Sequence, residues 1–345
     1  FSHRSRRGFF VGPIVRDCCD PTPLHTPKTM QKTAVLFLAG SAAAFQAPRL
    51  SAQRALRARR VAPRMAAEPH ATLVIVRHGQ SEWNEANLFT GWADVPLTTL
   101  GKNEAAMGAT EMWKEGIFID VAFTSLLKRA QQTLEIILKI SGQEHVPVNA
   151  NWRLNERMYG GLTGLDKRQT VEKYGEDQVK EWRRSFSTPP PEIDTDSKYW
   201  PGNDNKYAHI SEEQLPLSEC LQDTVKRCLP YYYGSICPAL KRGKKVLIAA
   251  HGNSIRGIVK VLDDISDEDI TGLEIPTGIP LVYHLDKDLK PIKHPRAVGL
   301  LSGYFLGDPD EIKKAQEKVA NQSKLRYDAG KVAPDEAGQE KPVAA

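Results

Sequence analysis

Cysteine is sparse in this chain of 345 residues, and its placement excludes two chemistries. Cys18 and Cys19 lie near the start, which leaves Cys220, Cys228 and Cys237 for the body. An odd number without a C-x-x-C pair forms neither a disulfide framework nor a zinc site. Metal-type spacing is missing from the histidines too, with no H-x-x-x-H or H-E-x-x-H and no carboxylate cluster at a strand end. No G-x-G-x-x-G follows a strand and no glycine loop precedes Lys-Ser/Thr, so nucleotide binding is not indicated. There is no internal repeat, and no apolar run reaches the roughly 20 residues of a membrane span.

The body of the chain also lacks net positive charge. The overall balance is +5, but residues 1–66 hold 12 of the 47 Lys and Arg and only 2 of the 42 Asp and Glu. Residues 67–345 therefore carry 35 basic against 40 acidic side chains. Nucleic-acid binding by the folded part is not expected. A hydrophobic share of 41% suits one large α/β domain or two smaller ones.

Residues 1–66 read as an address, disordered or removed. After Met30 and Lys32, "TAVLFLAGSAAAF" has the length of a signal-peptide core, and "QAPRLSAQRALRARRVAPRMAA" is Arg-rich without an acidic residue. The pair resembles the bipartite presequences of proteins routed through the secretory pathway into plastids of secondary red-algal origin, in which a phenylalanine follows the cleavage point. Phe45 fits. A plastid is the expected location, with another organelle or the cytoplasm as the alternative, and the mature form is expected to have no membrane contact.

From residue 71, strand-like and helix-like segments alternate. "TLVIV", "DVAFTS", "VPVNANWRLNE" and "KKVLIAA" read as strands. "LTTLGKNEAAMGATEMWKEG" reads as a helix capped by Thr98 or Thr99, and "SLLKRAQQTLEIILKIS" as one capped by Thr124 or Ser125. Residues 166–186 read as helical, 187–207 as a long irregular excursion, and a further helix stops near Pro230. A charged helix near the end fades into a polar tail at 326–345. The alternation predicts an α/β fold, a mainly parallel sheet with helices on both faces.

Two of the apolar strands end in His-Gly, at "VRHG" and "AAHG". Ligands of such sheets sit at the carboxyl ends of strands, so His78 and His251 could share one pocket. A neutral imidazole is a competent nucleophile toward phosphorus, and the arginines Arg77 and Arg129 offer donor forks suited to phosphate oxygens. His251 has no adjacent cation and suits hydrogen bonding to a phosphoryl group. Glu156, between Arg153 and Arg157, can exchange a proton with a hydroxyl if burial lifts its pKa. Lys167 and the pair Arg183–Arg184 can hold a carboxylate or a second phosphate. Taken singly, each of these also reads as an ordinary surface charge.

The ordered set "VRHGQSEWN", "FTGWADVPLT", "TSLLKRAQQT", "WRLNERMYGGLTGLDK", "EWRRSF", "IAAHGNS" and "IPTGIPLVY" resembles the cofactor-dependent phosphoglycerate mutases of the histidine-phosphatase superfamily. The resemblance runs over roughly residues 71–325 and marks 67–325 as the catalytic domain. It implies an isomerase of glycolysis and gluconeogenesis that interconverts 3-phosphoglycerate and 2-phosphoglycerate, primed by 2,3-bisphosphoglycerate and without a metal. It implies that His78 becomes phosphohistidine, that Arg77, Arg129 and His251 surround the phosphoryl group, and that Glu156 moves the proton. Asn84, Thr90, Gly91, Tyr159, Lys167, Arg183, Arg184, Gly252 and Asn253 would line the substrate site. Members of that family are often dimers or tetramers, so the resemblance implies a homo-oligomer. The 187–207 excursion and the C-terminal helix would close over the substrate.

Three features depart from the family pattern: Met158 stands where many members have histidine, "HPRAVGLLSG" at 294–303 reads as an insertion, and the tail is extended. Two other readings compete, a phosphohistidine-dependent phosphatase and a non-catalytic binder of phospho-ligands. A binder needs the cations but has no use for a nucleophile.

Overall fold

The computed structural model describes residues 68–320, so the expected presequence and polar tail lie outside the described residues. Strand β1 (Ala71–Arg77) is buried along both faces, as its unbroken apolar run requires. β2 (Val121–Thr124), β3 (Val148–Ala150) and β4 (Lys245–Ala250) join it in the parallel order β3-β2-β4-β1. β5 (Pro280–Leu285) pairs antiparallel to β1 and carries the two short strands β6 (Pro291–Ile292) and β7 (Tyr304–Phe305). The sheet is thus mainly parallel with an antiparallel margin.

Side-chain alternation along β1 and β4 splits the core into two layers. Leu73, Ile75 and Ile248 face α6 (Leu221–Tyr231) and α8 (Gly252–Leu262), meeting Val225, Ile255 and Val259. Val74, Val76 and Leu247 face α2 (Thr99–Lys114) and α3 (Lys128–Ile140), meeting Met112, Leu134 and Ile137. Each fully buried side chain of this kind contributes about 1.5–3 kcal/mol. Both faces are covered.

Some elements differ from the sequence reading. Thr98 caps α2 as expected, accepting from the Gly101 N–H at 3.0 Å. Neither Thr124 nor Ser125 caps α3, whose first turn accepts help from a distant side chain: the Lys128 N–H donates to Asp94 at 2.7 Å. Ser125 is committed to His251 instead. Residues 166–186 form two helices, α4 (Lys167–Tyr174) and α5 (Glu176–Arg184), parted by Gly175 at φ 83°. Helix α6 continues through Pro230, and the chain then widens into a π turn at Tyr232–Ile236 before α7 (Cys237–Lys241). Only Val148–Ala150 of "VPVNANWRLNE" is strand, because Trp152–Leu154 turns into a 3-10 helix.

The 187–207 excursion is a packed flap. Ile193, Trp200 and Tyr207 bury themselves against Trp92, Trp152 and Met158, which form a third apolar cluster. Met158 is filler there, consistent with having no chemical task. The 294–303 insertion fastens to the antiparallel margin: His294 stacks on Tyr304 at 3.7 Å, and Arg296 bridges to Glu115 at 3.0 Å. The charged C-terminal segment is helix α10 (Pro309–Ala320), and α9 (Asp267–Gly272) precedes β5.

The turn after β1 is pressed against α2. A Cβ on Gly79 would overlap the Gly101 carbonyl, and a Cβ on Gly101 would overlap the Gln80 carbonyl oxygen. Backbone cannot yield as a side-chain tip can. Gly101→Ala should therefore destabilise the fold by about 1–3 kcal/mol. Urea unfolding checks this, and an unchanged midpoint would contradict the contact.

Candidate active site

The parallel pairing of β1 with β4 determines where the two His-Gly turns meet. Arg77 lies opposite Ala250, and the His78 N–H donates to the Ala250 carbonyl at 2.9 Å. The imidazoles of His78 and His251 consequently sit with centroids 4.9 Å apart, both buried. His78 Nδ1 lies 2.7 Å from the Gly79 carbonyl, an oxygen that can only accept, so the ring proton belongs on Nδ1. Nε2 is left with its lone pair, 3.3 Å from the Arg129 Nε–H that donates to it. Burial, followed by the charges of Arg129 and Arg77, holds the His78 pKa well below the ordinary imidazole value. The ring is neutral, and its Nε2 electron pair accepts from the Arg129 guanidinium.

Arg129 is the second residue of α3 and is fixed by carbonyls. Its Nη1 and Nη2 donate to Ala93 and Gly91 at 2.9 and 2.8 Å, and burial lowers its pKa to about 10. Gly91 thus holds Arg129 rather than lining the cavity, and its φ of 52° suits glycine. Arg77 anchors through Nη1 to the Ile275 carbonyl at 2.8 Å, while its buried Nε has no partner among the described residues. His251 Nε2 shares a hydrogen bond with the Ser125 hydroxyl at 2.8 Å, and its Nδ1 is likewise unpartnered among the described residues. The unpartnered Arg77 Nε–H suits a ligand that accepts hydrogen bonds.

Glu156 differs from the sequence reading. Burial opposes its ionisation, but the Arg157 N–H, the charges of Arg77 and Arg129 and the Asn253 amide outweigh that, and its pKa lies below the usual range. The donors converge on Oε1: Arg157 N at 2.8 Å, Asn253 N at 3.1 Å and Asn253 Nδ2 at 2.9 Å. Oε2 makes no hydrogen bond among the described residues. The carboxylate is an ionised base with one oxygen presented to the cavity.

The cavity, about 660 Å³ including its mouth, is lined by both strand-end turns and by α4, α5 and α8. Asn84, Thr90, Tyr159, Lys167, Arg183, Arg184, Gly252 and Asn253 all reach it. Burial and then the nearby Arg183 and Arg77 lower Lys167 to about 7, and burial lowers Arg183 to about 10. Burial works to raise the Tyr159 pKa, but Arg157 beside it brings the net value down. Sequence reading missed Arg256 and Glu274. Arg256 lies one turn beyond Asn253 on α8, so helical spacing could have flagged it; Glu274 carries no such signal. Glu274 ties together Arg184 at 2.6 Å and Arg256 at 3.4 Å. Six cations thus face two carboxylates, a composition suited to a small polyanion. Of the expected lids, only α10 reaches the cavity, through Val319; the 187–207 flap does not.

His78, Glu156 and His251 hold ligand-type atoms within 4.8 Å of one another. That spread is wide for donors at about 2.0–2.2 Å from a zinc ion. Arg77 and Arg129 would also repel a cation, so the trio suits an anion better.

The sequence profile of the histidine phosphatase superfamily, branch 1, matches residues 73–293. The chain belongs to this superfamily. Within it, the chain is 53% identical over 254 residues to the 2,3-bisphosphoglycerate-dependent phosphoglycerate mutase of Borreliella afzelii (strain PKo), covering 74% of this chain and 99% of that one. The protein of the same name from Borreliella burgdorferi (strain ZS7) is 52% identical with the same coverage. This kinship places the chain in the superfamily's cofactor-dependent phosphoglycerate mutase family, as the resemblance implied. Among solved structures, Bacillus stearothermophilus YhfR aligns with a TM-score of 0.50 at 18% identity, over 67% of this chain and 98% of that one. That likeness concerns the superfamily fold alone.

The depressed imidazole pKa has a testable sign. An unfolded chain takes up a proton on each histidine near pH 6.5, whereas buried His78 and His251 do not. Stability is therefore lost as pH falls through that value, by up to about 1.4 kcal/mol per pH unit for each ring. Nitrogen-15 NMR should show His78 still neutral at about pH 6, half a unit below the ordinary imidazole value. Half-protonation at 6.5 or above would refute the buried, cation-flanked ring.

Proposed function

We propose that the protein interconverts 3-phosphoglycerate and 2-phosphoglycerate through a phosphohistidine at His78, needs no metal, and binds neither nucleic acid nor a membrane in its mature form. The observation carrying this is the neutral Nε2 of His78, aimed into a cavity of six cations beside an ionised Glu156. The mutase names of the close relatives support it.

The residues present fit 2,3-bisphosphoglycerate, because a bisphosphorylated carboxylic acid needs cations at more than one end of the cavity. Arg77, Arg129 and His251 would hold one phosphate at His78, and Lys167, Arg183 and Arg184 the opposite end. When bound, it supplies the phosphoryl group that primes His78. In the transfer itself, His78 returns PO₃ to a substrate hydroxyl as the N–P bond breaks and the new O–P bond forms. Glu156 Oε2 takes the hydroxyl proton, then gives it back as the other phosphate moves to His78. The guanidiniums are positioned in advance and need no reorganisation. Helix α10 limits water at the mouth.

The plastid address and an assembly of two or four copies belong to the same proposal. The first rests on the composition of residues 30–70, the second on the family resemblance. A fluorescent fusion of residues 30–70 that stays diffuse in the cytosol would remove the plastid from it.

His78→Ala should abolish acid-labile labelling by 2,3-bisphosphoglycerate; a variant that still takes the label would refute the assignment. Glu156→Gln should keep the label and lower isomerisation by roughly 10²–10⁴-fold. A chelator should change neither activity. Phosphate release exceeding isomerisation would make the protein a phosphatase using the same histidine.

A further inference from the structure

We propose that Arg227 is a positioning residue for Glu156: it sets the seat of the proton-transferring carboxylate without touching substrate. The inference rests on the role of Glu156 given above. Arg227 projects from α6, is 7% exposed and does not line the cavity. Its Nη1 donates to the Trp152 and Arg153 carbonyls at 3.1 and 2.9 Å. Its Nη2 donates to the Asn155 and Glu156 carbonyls at 3.2 and 3.1 Å. One guanidinium thus holds four of the five carbonyls from Trp152 to Glu156.

The stretch needs such a partner. Beyond the 3-10 turn at Trp152–Leu154 it belongs to no helix or strand, so its carbonyls have no ladder to pair with. Glu219 completes the clamp. It accepts from Arg227 Nε at 2.6 Å and Nη2 at 2.9 Å, and its Oε2 also takes the Met158 N–H at 2.9 Å. The backbone is therefore fixed on both sides of Glu156. Trp92 adds a further donor to the Glu156 carbonyl at 2.6 Å, with the Arg227 guanidinium 5.2 Å above its ring.

Stability alone is a poor reason for this arrangement, since an apolar pair of similar volume often holds a core as well as a buried ion pair. Position is a better one. Glu156 Oε1 must stay on the Asn253 N–H and amide at the start of α8 for Oε2 to face the substrate. A misplacement of about 1 Å at such a group can cost about 10²-fold in rate.

Arg227→Lys keeps a positive charge opposite Glu219, but its single ammonium cannot span four carbonyls. The expected result is at least a ~10-fold loss of kcat for isomerisation. KM and the rate of His78 labelling by 2,3-bisphosphoglycerate should change less than about threefold. The acidic limb of the kcat–pH profile should move to higher pH as Glu156 loses its fixed donors. The double variant Arg227→Met, Glu219→Met guards against simple misfolding, because it removes both charges together. Per folded molecule it should show the same split between kcat and labelling. Labelling and kcat that fall together, in step with folded fraction, would reduce Arg227 to a structural role and overturn the inference. So would an Arg227→Lys protein with unchanged kcat. A wild-type protein that takes no label defeats the functional reading itself, a different failure from a labelled wild type beside an unimpaired variant.

Discussion

The site depends on one rung of the sheet, where the His78 N–H meets the Ala250 carbonyl. Parallel pairing at that rung delivers two separate chain segments, 173 residues apart in sequence by their numbering, to one point with their imidazoles side by side. No local interaction between the two turns could do this, because each is short and glycine-containing. The precision comes from β1 and β4, whose apolar faces lock the register from both layers. A slip of one residue would send Arg77 where His78 stands and expose half of each strand to the wrong layer.

On that scaffold the protein holds a charge distribution that works against its own folding. Arg129, Arg183 and Arg256 are lowered to about 10 and Lys167 to about 7, each chiefly by burial. For Lys167 the folded cavity favours the neutral amine, so lowering pH from 10.5 to about 7 costs the folded state stability. A bound polyanion would oppose each of these shifts, because its negative charge favours the charged form of every cation. The mutual repulsion of these cations suits the cavity to a polyanion, and burial with the Arg129 and Arg77 charges keeps His78 neutral by opposing its protonation.

How much of this was legible in the sequence depends on whether a feature is carried by local pattern. The apolar runs of β1 and β4 and their His-Gly ends were visible, and with them the central pair of residues. Cations in ordered motifs were visible too. What was hidden depends on tertiary contact. Ser125 looked like a helix cap, but Asp94 takes over that work from a distant loop and frees Ser125 for His251. Burial alone suggested a raised Glu156 pKa, yet the Arg157 N–H, the charges of Arg77 and Arg129 and the Asn253 amide, three of them brought in by the fold, together reverse it. The 187–207 segment looked like a cover because its Pro, Asp and Asn content hides three large apolar anchors.

That last correction bears on how a mutase differs from a hydrolase built on the same histidine. Both need the phosphohistidine; only the mutase must keep water from it while a substrate reorients. The flap is committed to packing under the Glu156 segment, where Tyr207 receives the Asn155 amide at 2.9 Å and Trp200 and Ile193 fill the cluster around Met158. It therefore supports the Glu156 segment from behind. Of the flap and α10, only α10 meets the cavity, through Val319, while its Glu311, Lys314 and Lys318 line a neighbouring groove. The helix is balanced in charge, with Asp310, Glu311 and Glu317 against Lys313, Lys314 and Lys318, so it meets the cavity through apolar Val319 and not through net positive charge.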